Sequence, residues 1–376
     1  MATVTTERLE IPHLHAEIAR FYVPELDSLR FFAFFAVFIC HLFHDLGGSL
    51  VITNTGTFGV DLFFTLSAYL ITELLMREKE RFGRVDVKSF YIRRILRIWP
   101  LYLGFLATVF IVLKLHPVSR VTDIYLITYM VFLGNLARAL WPKIGLGLVT
   151  DPLWSVSVEE QFYLTWPLVV RYLTRRGVAI AGVLIWSFSI AARWILIREG
   201  FSPPAIEMST LSRLDPIACG LLLSSFLGGS IQPRLKLPRR LLILIGVNLW
   251  VIAGFCLFSS DHPAPRDFIL AFPLAAVGCG AFLLATIGSG SWMCNSRLIY
   301  LGRISYGLYV YHGVVILATL AIFASCPGWA KWLICPPLSL GGTIAVSAIS
   351  YRWFETPFLR LKARFQYIRS ASPAIG

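Results

Sequence analysis

The chain of 376 residues is unusually apolar: 57% of its residues are hydrophobic, 15% are charged, and its mean hydropathy is +0.70. Soluble domains carry about 25% charged and about 45–50% apolar residues, so this composition excludes a soluble enzyme with a single anchor and predicts an all-α, polytopic membrane protein. The net charge of +13 does not indicate nucleic-acid binding, because the basic residues form short blocks between apolar runs, as in the positive-inside rule.

A transmembrane helix needs roughly 20 apolar residues to cross a hydrocarbon core of about 30 Å. Ten runs are expected to cross the membrane, with both termini in the cytosol, and to surround a central polar cavity. These runs are 29–46, 58–76, 98–115, 162–174, 178–197, 212–228, 241–259, 267–288, 301–323 and 333–354. An eleventh run, 122–140, is expected to dip in and return or to lie at the interface, because a full crossing would move every later basic cluster outside.

These spans define the expected domain organisation. Residues 1–22 are predicted to be a polar cytosolic N-terminus, 23–357 the transmembrane domain, and 358–376 a basic cytosolic tail. No cleaved signal peptide is expected, because no hydrophobic run precedes a small-residue cleavage site near the N-terminus. The seven cysteines form no CxxC pair, so neither a disulfide framework nor a metal site is expected.

The first span, RFFAFFAVFICHLFHD, carries ionisable residues on one helical face. Arg30 and His41 lie three turns apart, about 16 Å along the axis, and Asp45 follows one turn later with His44 beside it. Ionisable groups inside a membrane usually line a cavity or a polar path. A lone histidine could simply donate to a backbone carbonyl, but this stripe favours a function for His41 near mid-membrane and leaves the role of His44 open.

Acidic residues open two later helices. Asp61, in GTFGVDLFFTLSAYLITE, is expected to face the polar cavity or simply to suit the dipole of its helix. In DPLWSVSVEEQFYLTWP, Ser155 precedes the adjacent residues Glu159 and Glu160, which cannot point the same way on a helix. One glutamate could cap the helix, and the other could orient a histidine or hold a hydroxyl substrate that enters from outside.

The connection 77–97 holds eight basic residues and is predicted to be a cytosolic loop. Arg93, Arg94 and Arg97 would then lie at the inner mouth of the third span. Topology alone would place basic residues there. The same arginines could also clamp a phosphorylated ligand from the cytosol, because guanidinium matches the geometry of phosphate.

The stretch GRISYGLYVYH places Ser305, Tyr309 and His312 on one helical stripe. We expect Ser305 and His312 to support the polar cavity. A histidine in such a cavity can act as a general base toward a hydroxyl, or it can become acylated itself. The sequence contains no Walker loop and no GxSxG motif that would indicate other chemistry.

Five motifs in order resemble the acyltransferase 3 family of bacterial membrane O-acyltransferases. They are ELDSLRFFAFFAVFICHLFHD, GTFGVDLFFTLSAYLI, FYIRRILRIWPLY, DPLWSVSVEEQFYLTWP and ISYGLYVYH, and the resemblance covers residues 23–357. The family's arginine-to-histidine signature falls on Arg30 and His41, and its RxxR motif falls on Arg94 and Arg97. Its tryptophan-serine-glutamate motif falls on Trp154, Ser155 and Glu159.

The resemblance implies a bacterial inner-membrane enzyme that takes an acyl group, usually acetyl, from acyl-CoA. It implies an acceptor hydroxyl on a carbohydrate, glycolipid or related metabolite, a bilayer environment, no metal and no nucleic-acid partner. On this basis His41, Glu159 and Glu160 are the expected catalytic residues, and Arg30, Arg94 and Arg97 the expected acyl-CoA-binding residues. The chain resembles the stand-alone form, without a hydrolase domain after the last span. It departs from the family at Ala68, where glycine usually follows the serine.

Two other classes of protein share some of these features. Ten spans with buried polar residues also describe transporters and lipid flippases, although the sequence shows neither inverted repeats nor matching helices broken by glycine and proline. A haem protein that pairs His41 or His44 with His312 is the other alternative, and no further feature of the sequence supports it.

Overall fold

The computed structural model describes residues 21–48, 51, 54–115, 120–141, 144–229, 237–258, 264–290 and 293–365. Every regular element within these ranges is helical, which confirms the predicted all-α class. The α-helices are α1 Pro24–Asp45, α2 Phe58–Phe82, α3 Val87–Lys114, α4 Arg120–Met130, α5 Gly134–Leu140, α6 Trp154–Val170, α7 Arg175–Arg198, α8 Pro203–Met208, α9 Asp215–Leu227, α10 Arg239–Phe258, α11 Pro265–Thr286, α12 Ser296–Arg303, α13 Ser305–Ile322, α14 Gly328–Ser350 and α15 Thr356–Ala363. A π-helical turn, Tyr351–Glu355, joins α14 to α15.

The long helices agree with the predicted polytopic architecture. Eight helices in the described ranges are long and apolar enough to cross a membrane: α1, α2, α3, α7, α10, α11, α13 and α14. The two remaining predicted spans coincide with the shorter helices α6, of 17 residues, and α9, of 13 residues. At 1.5 Å per residue, α9 is about 20 Å long, well short of a hydrocarbon core.

The run 122–140 does not form one continuous helix. It is divided between α4 and α5, and the chain turns at Phe132, which has a positive φ of 59°. The Phe132 ring stacks on Tyr102 with a centroid separation of 4.8 Å, and its carbonyl accepts a 3.0 Å hydrogen bond from Gln161. These contacts with α3 and α6 hold a turn that local propensity disfavours, because a bulky residue rarely adopts positive φ.

Helix α3 begins earlier than predicted. The Asp86 side chain accepts a 3.0 Å hydrogen bond from the Ser89 backbone N–H and so caps the helix before Val87. The prediction that Arg94 and Arg97 lie in a loop is therefore wrong: both lie on α3. Because they are three residues apart, they project from one face of that helix.

Many polar side chains are buried between the helices, and many apolar side chains lie on the outer surface of the helix assembly. The core includes buried residues of α1, α2, α3 and α13, such as Phe34, Phe64, Tyr102 and Leu308. Helices α7, α10 and α14 instead expose large apolar side chains, including Leu184, Phe255 and Leu333. This arrangement suits a protein whose outer surface faces lipid and whose polar groups satisfy one another inside.

Candidate active site

A cavity with about 690 Å³ of empty space, counting its open mouth, lies between α1, α2, α3, α6 and α13. This volume is within the range of small-molecule sites. Polar residues from all five helices line the cavity, and they include Arg30, Ser67, Arg94, Arg97, Glu159 and Ser305. The fold thus brings together both expected acyl-CoA-binding motifs, one of the two glutamates and both of the expected serines, Ser155 and Ser305.

The arginines give this cavity a strongly positive side. The Arg94 guanidinium lies over the rings of Phe90 and Tyr163, at 5.6 and 5.2 Å from their centroids. Among the described residues, neither Arg94 nor Arg97 forms an ion pair with a carboxylate, whereas Arg30 pairs with Asp27 at 2.6 Å. Two guanidiniums that form no direct ion pair among the described residues, in a cavity open to a ligand, are suited to binding an anion with several phosphates.

Glu159 belongs to the arginine side of the cavity. Its Oε1 accepts a 2.7 Å hydrogen bond from the Ser67 hydroxyl, and it interacts electrostatically with Arg94 and Arg30. The sequence left open which of Glu159 and Glu160 meets the acceptor, and the packing of α6 against α2 and α3 places Glu159 near the arginines. Its position favours a role in holding Ser67 and Arg94 in place.

Glu160 points away from this cavity. Its Oε2 accepts a 3.0 Å hydrogen bond from the indole N–H of Trp99 on α3, and it is not among the residues that line the cavity. Adjacent residues on a helix project about 100° apart, so the two glutamates diverge as predicted. One carboxylate therefore faces the ligand space, and the other binds a neighbouring helix.

His41 and His312 form a direct pair. Nδ1 of His41 lies 2.9 Å from Nε2 of His312, and the two rings stack with 5.1 Å between centroids and 12° between planes. His312 is 0% exposed, and Phe34 packs edge-on against it. A direct hydrogen bond leaves no space for an iron and a porphyrin between these rings, so the pair does not fit the haem alternative.

The hydrogen bonds of this pair determine where the protons lie when both rings are neutral. Nδ1 of His312 is 2.7 Å from the Tyr309 carbonyl, which can only accept, so this nitrogen carries a proton. Nε2 of His312 must then accept from Nδ1–H of His41. The remaining nitrogen, Nε2 of His41, is left with a free lone pair. His312 therefore orients His41 and holds it in the tautomer that a general base requires.

An aromatic layer separates the histidine pair from the cavity. Neither histidine lines the cavity, but Tyr309 does, and its ring lies 5.6 Å from the ring of His312. The Tyr309 hydroxyl donates to the Pro152 carbonyl at 2.7 Å and lies 2.8 Å from the Ser155 hydroxyl. Phe63 packs edge-on against Tyr309. Ser155 thus positions the tyrosine between the arginines and the histidines.

Asp61 lies in a different place, within a buried ion-pair network. It pairs with Arg213 at 2.7 Å, and the neighbouring Arg193 contacts Asp215 directly. All four side chains are buried, and both arginines lie over the ring of Phe272. The network joins α2, α7 and α9, and Asp61 is not among the residues that line the cavity.

Asp61→Asn is expected to lower the free energy of unfolding by about 3–5 kcal/mol, because it leaves the buried Arg213 without its anion. The matched control is Asp123→Asn, which removes a carboxylate from an exposed pair with Lys114 and should cost at most about 1 kcal/mol. Denaturant unfolding in detergent measures both. Equal small losses would show that the Asp61 pair contributes little to stability.

The described residues also include cavity residues that the sequence did not single out. Tyr163 lies one turn beyond Glu159, and Ser67 follows the paired phenylalanines of α2. The sequence held one signal for Tyr163: it lies four residues after Glu159, so the two residues share a helical face. By contrast, His44 and Asp45, which the stripe on α1 had included, are exposed at the end of that helix.

A family model described as an acyltransferase domain matches residues 23–352. The chain therefore belongs to the acyltransferase 3 family, as its five motifs predicted. No solved structure matches the chain.

Curated relatives share nearly the whole of this chain. It is 27% identical to the peptidoglycan O-acetyltransferase OatA of Listeria monocytogenes over 361 residues, covering 90% of this chain and 56% of that protein. It is also 27% identical to a putative O-acetyltransferase of Staphylococcus aureus strain COL, over 90% of this chain and 57% of that protein. The match to the putative peptidoglycan O-acetyltransferase YrhL of Bacillus subtilis is again 27%, over 89% of this chain and 55% of that protein. This chain thus spans little more than half the length of these relatives.

Proposed function

We propose that this protein is an integral membrane O-acyltransferase that moves an acyl group, preferably acetyl, from acyl-CoA to a hydroxyl of a carbohydrate, glycolipid or related metabolite. The observation that carries the proposal is the His41–His312 pair, whose hydrogen bonds leave Nε2 of His41 as a base beside an arginine-lined cavity. The names of the curated relatives support acetyl as the group transferred.

In this mechanism the arginine-lined cavity binds the phosphates of the donor. Arg94 and Arg97 form no direct ion pair with a carboxylate among the described residues, so they are available to an incoming pyrophosphate. The acyl thioester on its flexible pantetheine arm extends from the arginines past Ser305 toward Tyr309 and the histidine pair. The ring of Tyr309 lies between the cavity and His312. In this mechanism the ring therefore has to move aside before the thioester can meet the acceptor hydroxyl beside the histidine pair.

The chemical step is a single displacement at the thioester carbonyl. Nε2 of His41 takes the proton of the acceptor hydroxyl while that oxygen forms a bond to the carbonyl carbon. The carbon–sulfur bond then breaks, the thiolate of CoA leaves with the bonding pair, and it takes the proton from Nε2 of His41, which restores the neutral imidazole. Throughout the step, Nε2 of His312 keeps accepting the hydrogen bond from Nδ1–H of His41. Glu159 positions Ser67 and Arg94 at the end of the cavity that binds the donor. No direct chemical role is proposed for Glu160.

We also propose that the arginine side faces the cytosol of a bacterium and that the protein resides in the inner membrane. The basic residues around the junction of α2 and α3, from Arg77 to Arg97, support this orientation through the positive-inside rule. Donor and acceptor then approach from opposite faces of the bilayer. Reporter fusions at the loops before α3 and α6 measure the orientation, and signals from a single side of the membrane would contradict it.

The experiment that tests the function is acyl transfer by purified protein in nanodiscs. Labelled acetyl-CoA is supplied with extracted lipid-linked glycans and cell-wall fragments, and both CoA release and transferred label are measured. Label in a hydroxyl ester that alkali removes is the expected result. Movement of a solute or lipid across proteoliposomes, without any CoA release, would instead favour a transporter or flippase.

A further inference from the structure

The C-terminal helix α15 packs against α3, the helix that carries Arg94 and Arg97. The end of this packing is fixed by Arg93, which donates a 2.8 Å hydrogen bond to the carbonyl of Phe365 and pairs with Glu78 at 3.3 Å. The π-helical turn before α15 is anchored by Glu355, whose side chain is buried. Single π-helical turns often occur at functional sites.

Lys362 is the basic residue of α15 that faces the arginines. It is half-buried and interacts electrostatically with Arg97, Arg94 and Arg30, whereas Arg360, two residues earlier on the same helix, is exposed. No ion pair links Lys362 to a carboxylate among the described residues. The fold therefore holds this amino group near three arginines without a carboxylate of its own.

A group of like charges held at close range is unfavourable unless an anion neutralises it. The acyl-CoA of the proposed function supplies such an anion in two places, the pyrophosphate and the 3′-phosphate of its ribose. Arg30, Arg94 and Arg97 line the cavity, and Lys362 interacts with them from α15 without lining the cavity itself. In CoA the 3′-phosphate lies beyond the pyrophosphate as one moves away from the thioester.

We propose that Lys362 binds the 3′-phosphate of the acyl-CoA donor and that α15 forms the outer wall of the donor site. This inference rests on the proposed function and adds to it a residue that selects full CoA over donors without the 3′-phosphate. The arginines of the cavity bind the pyrophosphate, and the lysine binds the phosphate that extends past them.

The test compares acetyl-CoA with acetyl-3′-dephospho-CoA as donors for the wild type, Lys362→Ala, Lys362→Arg and Arg360→Ala. Lys362→Ala is expected to raise the KM for acetyl-CoA about 10-fold or more with little change in kcat, as expected for loss of a charged hydrogen bond. With the dephospho donor, Lys362→Ala and the wild type should have the same KM. Lys362→Arg should restore most of the affinity, and Arg360→Ala should behave as the wild type.

An equal rise in KM for both donors, or no rise for either, would overturn the proposal. Repeating the assay in nanodiscs of neutral and of anionic lipid separates CoA from a lipid headgroup, and an effect confined to anionic lipid would also overturn it. If the wild type transfers nothing, the proposed function fails on its own. Calorimetric titration with CoA and 3′-dephospho-CoA then tests the site directly, since only CoA binding should weaken in Lys362→Ala.

Discussion

His41→Ala is expected to lower kcat for acyl transfer by about 10²–10⁴-fold, the range that a positioned general base contributes. The variant removes the nitrogen that would take the proton of the acceptor hydroxyl, and it leaves His312 without its partner. Binding of CoA should not change, because His41 is not among the residues that line the arginine cavity. Rapid-quench measurement of label transfer and calorimetry of CoA binding give the two quantities separately.

The matched control is His44→Ala, because His44 lies one turn further along α1 and is exposed. It should keep nearly full activity.

His312→Gln offers a second comparison, since an amide oxygen can still accept from Nδ1–H of His41, whereas the leucine of His312→Leu cannot. More activity in the glutamine variant than in the leucine variant would support an orienting role for His312. Full activity of His41→Ala would refute the proposed base.

Replacing Arg94 and Arg97 together by alanine is expected to raise the KM for acetyl-CoA about 100-fold or more. Each substitution removes a charged contact with phosphate, and one such contact contributes roughly a factor of ten. At saturating donor, kcat should fall much less, because the hydrogen bonds and ring contacts of the histidine pair involve neither arginine. Initial rates measured over a wide range of donor concentration, at fixed acceptor, determine both constants.

Lys88→Ala is the control for this double variant. Lys88 lies in the first turn of α3 and is exposed, so its removal lowers the charge at the same end of the helix without touching the cavity. It should leave both constants close to those of the wild type. If the double variant lost donor and acceptor binding equally, the cause would be a defect in folding or membrane insertion and not the loss of a phosphate site.

Several features of this protein follow from local sequence alone. Composition and run length predicted a helical membrane protein, because the bilayer requires helices of a fixed minimum length with apolar outer faces. Helical periodicity placed Arg30 and His41 on one stripe and Arg94 beside Arg97, since both relations hold within a single helix. The order of the motifs then predicted the family, which the comparison over residues 23–352 confirmed.

The tertiary structure decided which of these residues meet. His41 pairs with a histidine 271 positions away, and Asp61 pairs with an arginine 152 positions away. Glu159 lies beside the arginines, and Lys362 joins them from the far end of the chain. Periodicity specifies the face of a helix on which a residue lies, but not the helix that packs there or its register. Those depend on the packing of side chains between segments distant in sequence, and that packing placed the arginines and Glu159 in one cavity while it placed Asp61 in a separate ion-pair network.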